Sequence, residues 1–305
     1  MSNKQHTIEG IGLAVLATLV WSGNFIVARA INQDIPPFML AFLRWGTASI
    51  IMLPIGWAAF RQDWAAIKKA LPIVTFAAFT GISLFNTFIY VAGHFSSAIS
   101  LALIGTTSSP VFSFILARIF LKERIPAWRM LGLLICISGI LLLLSQGSLE
   151  VLLHFRFTQG DWWILAAALS FALYNIATRK KPATISPKAY LFSTFWIGTI
   201  ILLPFALLEV GMGATINWSW SLAGIVLYLG AGASVISFLC WNIAIARLGA
   251  ARTAIFGNLI PVFSSIEAVL ILHEKITWIH ILGMTVVIVG LIIANLRATA
   301  AIPKR

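Results

Sequence analysis

A succession of apolar segments constrains the fold more than any other feature of the sequence. A bilayer core about 30 Å thick needs roughly 20 apolar residues to cross it as a helix. Segments of that length follow one another, joined by short polar connections, along nearly all of the 305 residues. They cover residues 8–30, 36–60, 70–93, 95–121, 126–146, 161–179, 187–209, 221–246, 251–272 and 276–296. The sequence therefore predicts an all-α membrane protein with ten transmembrane helices and no soluble domain.

The composition agrees with a chain surrounded by lipid. Apolar residues make up 60% of the chain, charged residues 10%, and the mean hydropathy is +0.97. A soluble domain carries about a quarter charged residues on average. The net charge of +12 would favour a nucleic-acid partner in a soluble protein, but the positive residues lie in short connections between apolar segments. We expect membrane lipid as the surroundings and no nucleic-acid partner.

The distribution of Lys and Arg predicts the orientation, because these residues concentrate on the cytoplasmic side. With ten spans, 17 of the 21 Lys and Arg residues lie on the side of the N-terminus. Only Arg29, Arg156 and Lys275 lie on the other side, and Arg44 lies within a span. We predict a multi-pass protein of the bacterial inner (plasma) membrane with both termini in the cytoplasm. The apolar run from Ile8 is too long for a signal peptide and is interpreted as an uncleaved helix.

The two halves of the sequence resemble each other at a constant shift of 151 residues. Polar, proline and glycine positions coincide, which apolar composition alone rarely produces. Each half holds five spans, an odd number, so the halves should cross the membrane in opposite senses around a central cavity. We predict a first repeat at 1–146, a connecting loop at 147–160 and a second repeat at 161–305. Matched pairs are Asn24 with Asn175, Gly81 with Gly232, Glu123 with Glu274, Gly132 with Gly283, and Pro110–Ser113 with Pro261–Ser264.

Four short motifs carry a resemblance to a known family: Trp21–Phe25 (WSGNF), Leu121–Arg124 (LKER), Ala172–Asn175 (ALYN) and Leu272–Lys275 (LHEK). Over essentially its whole length the chain resembles the drug/metabolite transporter superfamily of the EamA type. Within that superfamily it is similar to the bacterial aromatic amino acid exporter (YddG-type) branch. The resemblance implies a ten-helix exporter of amino acids or similar small metabolites.

Two proline-interrupted spans are candidates for the substrate path. Pro110 and Pro261 each remove a backbone hydrogen bond, which frees the carbonyls of Thr106 and Gly257. Freed carbonyls in a membrane belong in the protein interior or beside a wet cavity. We interpret the two prolines as hinges in helices that line the path. Close packing of small residues between helices is the alternative.

Polar and aromatic residues recur at similar depth in several spans. Buried amides are costly unless they are paired, and a pocket of aromatic walls with a few amides suits amino acids with bulky neutral side chains. Hydrogen bonding between helices, without a ligand, is the competing interpretation. The candidate substrate-binding residues are Trp21, Asn24, Asn86, Tyr90, Thr106, Ser108, Tyr174, Asn175, Ser237, Trp241 and Asn258.

Arg44 and Glu267 are the two formal charges well inside predicted spans, and the topology puts both in the outer half. A charge inside the membrane is a functional hypothesis by default. We predict a gate or coupling role, in which the two residues pair when the outer side is closed. Independent snorkelling of Arg44 and hydration of Glu267 near the headgroups are the alternatives.

No catalytic, metal-binding or nucleotide-binding motif is present, so we expect neither an enzyme nor a cofactor or metal. Cys136 and Cys240 are interpreted as small core residues. The expected function is secondary transport: export of amino acids, aromatic or otherwise bulky and neutral, and similar metabolites by alternating access. Efflux of toxic cationic or hydrophobic compounds is the alternative, as is a flippase, receptor or scaffold. One deep arginine is too few for a sugar phosphate. The exact substrate, proton coupling and oligomeric state are open at this point.

Overall fold

The computed structural model describes residues 3–31, 34–95, 98–145, 147–154, 158–263, 266–267 and 277–295. These residues form helices joined by short turns, and none of them lies in a β-strand. The first half contains α1 (Asn3–Ala30), α2 (Pro37–Lys69), α3 (Leu71–Phe95), α4 (Ala98–Phe120) and α5 (Ala127–Ser145), followed by the short α6 (Leu149–Leu153). The second half contains α7 (Gln159–Lys180), α8 (Pro187–Gly211), α9 (Trp220–Leu248), α10 (Ala250–Phe263) and α11 (Trp278–Asn295).

Five of these helices are long and apolar enough to cross a membrane: α2, α3, α8, α9 and α11. Large apolar side chains on their outer faces are exposed, as with Ile50 and Ile200 at more than 60% of their surface. Trp64, near the end of α2, is 50% exposed, and Trp220, at the start of α9, is 94% exposed. Tryptophan favours the boundary between lipid and water.

Helix α2 is longer than the sequence predicts. The apolar segment ends near residue 60, but the helix continues to Lys69, and Ala70 alone separates it from α3. The predicted end of this helix was wrong because the segment 61–69 is polar yet consists mainly of good helix formers. Lys68 and Lys69 also lie in the last turn, where positive charge is favourable to a helix.

Helices α3 and α9 each contain a π-helical segment, at Ala78–Leu84 and Tyr228–Ile236. The 151-residue shift superimposes one segment on the other. Such segments widen the helix locally and are frequent at functional sites. In α3 the segment contains Gly81, where a Cβ atom would lie 2.2 Å from the ring of Tyr174. Glycine is required there because α7 approaches so closely.

Two pairs of corresponding helices pack against each other: α2 with α8, and α5 with α11. Extensive contacts also join α1 to α9, α3 to α7 and α4 to α7. The 151-residue shift converts the pair α1 and α9 into the pair α7 and α3. Under this exchange the two pairs are equivalent contacts of two similar halves.

Glycines bring α5 and α11 into backbone contact. A Cβ atom at Gly132 would lie 2.6 Å from the carbonyl oxygen of Gly290, and one at Gly290 would lie 2.7 Å from that of Gly132. Between the glycines the buried thiol of Cys136 donates to the carbonyl of Val287 at 3.4 Å. Small residues that permit close helix contact are typical of membrane interfaces. Cys136 is therefore a packing residue here.

Two carboxylates hold α2 and α8 together reciprocally. Asp63, near the end of α2, accepts a hydrogen bond from the backbone N–H of Ser186 before α8 at 2.8 Å. Glu209, near the end of α8, accepts from the backbone N–H groups of Phe38 and Met39 at the start of α2, at 3.1 and 2.9 Å. The first N–H groups of a helix lack partners within the helix and favour negative charge. Each helix thus binds the beginning of the other.

Candidate functional site

A central cavity of about 60 Å³ lies between the two halves of the molecule. That volume accommodates only a few water molecules, at roughly 10–15 Å³ each. The walls come from α1, α2, α3 and α4 of the first half and from α7, α9 and α10 of the second. The lining residues used below are Trp21, Asn24, Arg44, Phe85, Asn86, Gly105, Pro110, Phe171, Trp241 and Gly257.

Arg44 is the charged residue of the cavity wall, and its side chain is fully buried. Its Nη1 donates to Asn24 Oδ1, Asn86 Oδ1 and the Tyr90 hydroxyl, each at 2.9 Å. Its Nε donates to Ser234 Oγ at 2.7 Å and its Nη2 to the carbonyl of Ala233 at 3.1 Å. Every one of these acceptors is neutral. Arg44 therefore lies in the protein interior and does not extend to the outer surface.

The π segment of α9 supplies two of those acceptors. Ala233 and Ser234 lie within Tyr228–Ile236, and the Ala233 carbonyl also accepts from the indole N–H of Trp21 at 2.8 Å. A π segment shifts the backbone hydrogen-bonding pattern of its helix. The shift leaves a carbonyl of the second half available to two side chains of the first half.

No described carboxylate lies within 4 Å of the Arg44 guanidinium; among described residues the only ion pair joins Arg247 and Glu9. The Arg44 guanidinium also makes a cation–π contact with the ring of Trp45, whose centroid lies 5.1 Å from Arg44 Cζ. A buried charge without a counter-ion is costly even when it is hydrogen-bonded. Among the described residues, the guanidinium of the cavity wall therefore has no ion-pair partner.

Two N–H groups of this cluster are left over. A guanidinium has five N–H groups, and the Arg44 Nη2 makes one hydrogen bond with its two. The Asn86 Nδ2 is buried and has no hydrogen-bond partner among the described residues. Both residues line the cavity. Donors are thus available on the wall where the positive charge lies.

Aromatic rings also line the cavity. The ring centroid of Trp21 lies 5.6 Å from that of Phe171 and 5.0 Å from that of Trp241, and Phe85 stacks on Phe171 at 4.5 Å. The sequence analysis identified the two tryptophans but missed both phenylalanines. With 21 phenylalanines in the chain, nothing in the sequence distinguishes those two from the ones that face lipid.

The structure divides the predicted substrate-binding residues into two groups. Trp21, Asn24, Asn86 and Trp241 line the cavity, and Tyr90 contacts Arg44 from behind. Three others form hydrogen bonds within or between helices and do not line it. Tyr174 donates to Asn242 Oδ1 at 2.7 Å, Asn175 accepts from Trp241 Nε1 at 2.9 Å, and Ser237 donates to the Gly232 carbonyl at 3.2 Å.

The proline-containing helices contribute differently from one another. Pro110 lines the cavity beside Gly105, whereas Pro261 is buried outside it. Ser108 is half-buried and is not part of the lining, and the side chain of Thr106 lies outside the described part of the structure. Asn258 is fully buried, and neither of its amide atoms has a hydrogen-bond partner among the described residues. The helix is 3-10 around it, at Phe256–Leu259.

Glu267 does not contact Arg44 in this structure. Its Oε1 accepts from Ser22 Oγ at 2.5 Å, whereas Arg44 binds the neutral groups described above. The repeat counterpart of Ser22 is a leucine, Leu173, so this contact has no equivalent in the other half of the sequence. The predicted pairing concerns a state with the outer side closed, and it stays a prediction.

The end of the bundle where α4 ends and α10 begins is closed by polar contacts. Arg179 donates to the Ala246 carbonyl at 3.1 Å, and Arg252 donates to Asn295 Oδ1 at 2.5 Å. Burial raises the pKa of the Glu123 carboxyl, and the effect is opposed by Arg179, Arg129 and the backbone N–H groups of Ala250 and Ala251. We call this region the basic end.

Comparison with known proteins identifies the class of molecule. The sequence profile of the EamA-like transporter family matches residues 8–145 and, a second time, residues 158–296. The chain belongs to the EamA-like transporter family. It is therefore a transporter of the drug/metabolite superfamily and a multi-pass membrane protein, and the two matches divide it into two family repeats. Among the described residues, no group of three or more His, Cys, Asp or Glu side chains could hold a metal ion.

Several transporters resemble this EamA-like chain along its length. The probable amino-acid metabolite efflux pump of Escherichia coli is 26% identical over 92% of this chain and 93% of its own. The probable terminal-alkyne amino-acid exporter of Streptantibioticus cattleyicolor is 27% identical over 95% and 94%. A protein crystal structure at 20% identity superimposes with a TM-score of 0.77, covering 97% of this chain and 98% of the other. That likeness concerns the fold alone.

Proposed function

We propose that this EamA-like transporter exports amino acids with aromatic or other bulky neutral side chains, and similar metabolites, across a bacterial inner membrane. The observation that carries the proposal is the cavity, whose lining combines aromatic rings with a guanidinium and two amides. An amino acid side chain would pack on Trp21, Phe171 and Trp241. Relatives named as amino-acid exporters support the same class of substrate.

The proposed architecture has ten spans in two inverted repeats, with both termini in the cytoplasm. The two family matches, the equivalent π segments and the exchange of helix pairs support two similar halves. The excess of Lys and Arg on the N-terminal side supports the orientation and makes the basic end cytoplasmic. Transport then proceeds by alternating access, with Pro110 and Pro261 as hinges.

The cavity volume implies that the helices must separate when substrate enters. At about 60 Å³ the cavity is too small for a bulky amino acid. Gly105, Ser108, Thr106 and Asn258 lie in α4 and α10, the helices with the interrupting prolines. We propose that these two helices move apart to admit substrate and that Glu267 acts in the gate on the outer side.

Efflux of toxic cations is the second candidate, and the sign of the cavity charge disfavours it. Among the described lining residues the one formal charge is positive, and it would repel a cation. Membership of the EamA-like transporter family favours transport over a flippase, receptor or scaffold.

The test is exchange of labelled phenylalanine in liposomes that contain the pure protein. Vesicles loaded with unlabelled phenylalanine should take up the label faster than empty liposomes, and a pH gradient will show whether protons are coupled. Absence of exchange for every aromatic amino acid, with flux of a cationic dye, would favour the second candidate.

A matched pair of glycine variants locates the path. A Cβ atom at Gly257 would meet no atom within 4 Å, and Gly257 lines the cavity; Gly224 is equally unobstructed but lies on an exposed face of α9. Gly257→Leu should reduce exchange at least about tenfold with near-normal folding, because filling open space causes no overpacking. Gly224→Leu should leave exchange unchanged. Equal effects of the two variants would contradict a path through the cavity.

A further inference from the structure

We propose that the cavity recognises the carboxylate of its substrate and does not require the amine. Bulky aromatic monocarboxylates that lack an amino group would then share the site with amino acids, whereas amines and amides would not. The inference rests on the proposed function, since it specifies which part of the substrate the same cavity recognises.

The first support is the charge of the wall. Arg44 is fully buried, and its described partners are two amides, two hydroxyls and a carbonyl. Neutral acceptors hold the guanidinium in place but leave its charge uncompensated. A ligand carboxylate would supply the missing counter-charge. A neutral ligand would leave the charge uncompensated, and a cationic one would add repulsion.

The second support is the pair of unused donors. The Arg44 Nη2 retains an N–H group, and the Asn86 Nδ2 has no partner among the described residues. The two side chains are already joined, because Arg44 Nη1 donates to Asn86 Oδ1 at 2.9 Å. Two adjacent donors, one of them charged, match the two oxygens of a carboxylate.

The third support concerns the amine. No described residue that lines the cavity is acidic, and Glu267 is bonded to Ser22 outside the lining. The amide oxygens of Asn24 and Asn86 already accept from Arg44. An ammonium group would be left with the faces of Trp21 and Trp241, and the positive charge of the Arg44 guanidinium would repel it. The amine therefore contributes little to recognition.

The experiment measures binding and exchange with four related compounds. Phenylalanine, phenyllactate (no amine), phenylalaninamide (no carboxylate) and phenethylamine (no carboxylate) compete against labelled phenylalanine in liposomes, and each is also titrated against the thermal stability of the protein in detergent. Phenyllactate should compete within about threefold of phenylalanine. The two compounds without a carboxylate should compete at least about tenfold more weakly, because they lack the charge-assisted hydrogen bonds.

Asn86→Asp tests the site within the folded protein. The substitution keeps the size of the side chain and places a carboxylate 2.9 Å from Arg44 Nη1, so Arg44 gains an internal counter-ion. Phenylalanine affinity should fall at least about tenfold, thermal stability should be unchanged or higher, and phenylalaninamide should lose its disadvantage. The matched control is Asn242→Asp, a buried amide that accepts from Tyr174 and does not line the cavity. It should leave the order of the four compounds unchanged.

The possible results separate this inference from the proposed function. Exchange of phenylalanine with equal competition by phenylalaninamide would overturn carboxylate recognition and leave the transporter intact. Binding in the proposed order without exchange would support the site and contradict the transport function. If no compound of the panel binds, or if Asn86→Asp leaves the order unchanged, the inference is wrong.

Discussion

Two clusters at equivalent positions of the two halves have different roles. In the first half Asn24, Arg44, Asn86 and Tyr90 form a charged cluster beside the cavity. The shift of 151 residues converts them into Asn175, Phe195, Ser237 and Trp241, a cluster without charge. There Trp241 donates to Asn175, and Phe195 packs against the rings of Trp45 and Phe238.

The replacement of one residue accounts for much of the difference. Ser83 and Ser234 occupy equivalent places in the two π segments. Ser234 accepts a hydrogen bond from Arg44, whereas Ser83 donates to the Gly198 carbonyl because the guanidinium has no counterpart in the second half. One backbone design thus holds a buried guanidinium beside the cavity in one half and packs helices together in the other. Repeats of this kind can diverge in function without a change of fold.

The largest expected effect comes from removing the residue that distinguishes the clusters. Arg44→Leu deprives four buried side-chain acceptors of the Arg44 donor and leaves the Ala233 carbonyl with Trp21 alone. Each lost partner costs about 1–3 kcal/mol where water does not replace it. We expect exchange to be lost and the free energy of unfolding to fall by at least about 3 kcal/mol. Phe195→Leu, at the equivalent position, should cost roughly 1–2 kcal/mol and retain exchange. Thermal unfolding and exchange assays on both variants would reveal an equivalent role if the two losses were equal.

Much of this fold could be predicted from sequence because membrane helices are specified by simple rules. Apolar length predicts the helices, and the constant shift predicts which of them correspond. The π segments were not predicted, because the spacing of apolar residues does not reveal where a helix has about one more residue per turn than an α-helix. The continuation of α2 to Lys69 was missed because the apolar segment and the helix end at different places.

The site was only partly predictable, for a physical reason. A buried amide satisfies its hydrogen bonds equally well with a neighbouring helix or beside a cavity, so Asn24 and Asn175 look alike in the sequence. Their neighbours in space decide the outcome: Arg44 for the first and Trp241 for the second. A charge inside a predicted span was the more informative signal, because it identified Arg44 as a candidate. The described hydrogen-bond partners of Arg44 are neutral groups, and Glu267 is not among them.

The next largest difference is expected between alanine substitutions at the equivalent glycines Gly81 and Gly232, in their effect on the free energy of unfolding. A Cβ atom at Gly81 would lie 2.2 Å from the Tyr174 ring, which is itself packed in the core. Gly81→Ala should therefore lower the free energy of unfolding by about 1–3 kcal/mol. At Gly232 the nearest atoms would lie 3.5 Å away, an ordinary contact. Gly232→Ala should be neutral or stabilise by up to about 1 kcal/mol. Equal melting temperatures for the two variants would contradict the asymmetry.

Removing one polar atom from each cluster should produce smaller and distinct effects. Tyr90→Phe removes one of three acceptors shared by Arg44 Nη1, so about 0.5–1.5 kcal/mol of stability should be lost, and the KM for phenylalanine should rise a few-fold as Arg44 loosens. Trp241→Phe breaks the hydrogen bond to Asn175 Oδ1 at a similar cost, and it also shortens the aromatic wall. The Tyr90 variant should alter the preference for carboxylates over amides, and the Trp241 variant should alter only the preference for side-chain size.

The smallest expected effect concerns the basic end, where the first half contacts the second through Glu123. Burial raises the pKa of this carboxyl above its usual 4.5 despite Arg129, Arg179 and the backbone N–H groups of Ala250 and Ala251. A raised pKa means that the packed state binds the proton more tightly than the unfolded state does. Its contribution to stability is complete below about pH 4.5 and is lost as the pH rises through the raised value.

Glu123→Gln imitates the protonated form. The variant should be as stable as the natural protein near pH 5 and slightly more stable at pH 7.5, by less than about 1 kcal/mol because the site is partly hydrated. Melting temperatures at the two pH values, with Glu123→Asp as the titrating control, would measure this. The opposite result would be a Glu123→Gln variant that loses stability relative to the natural protein as the pH is raised from 5 to 7.5. It would mean that the attraction of the arginines outweighs burial and that the charged carboxylate holds α10 in place.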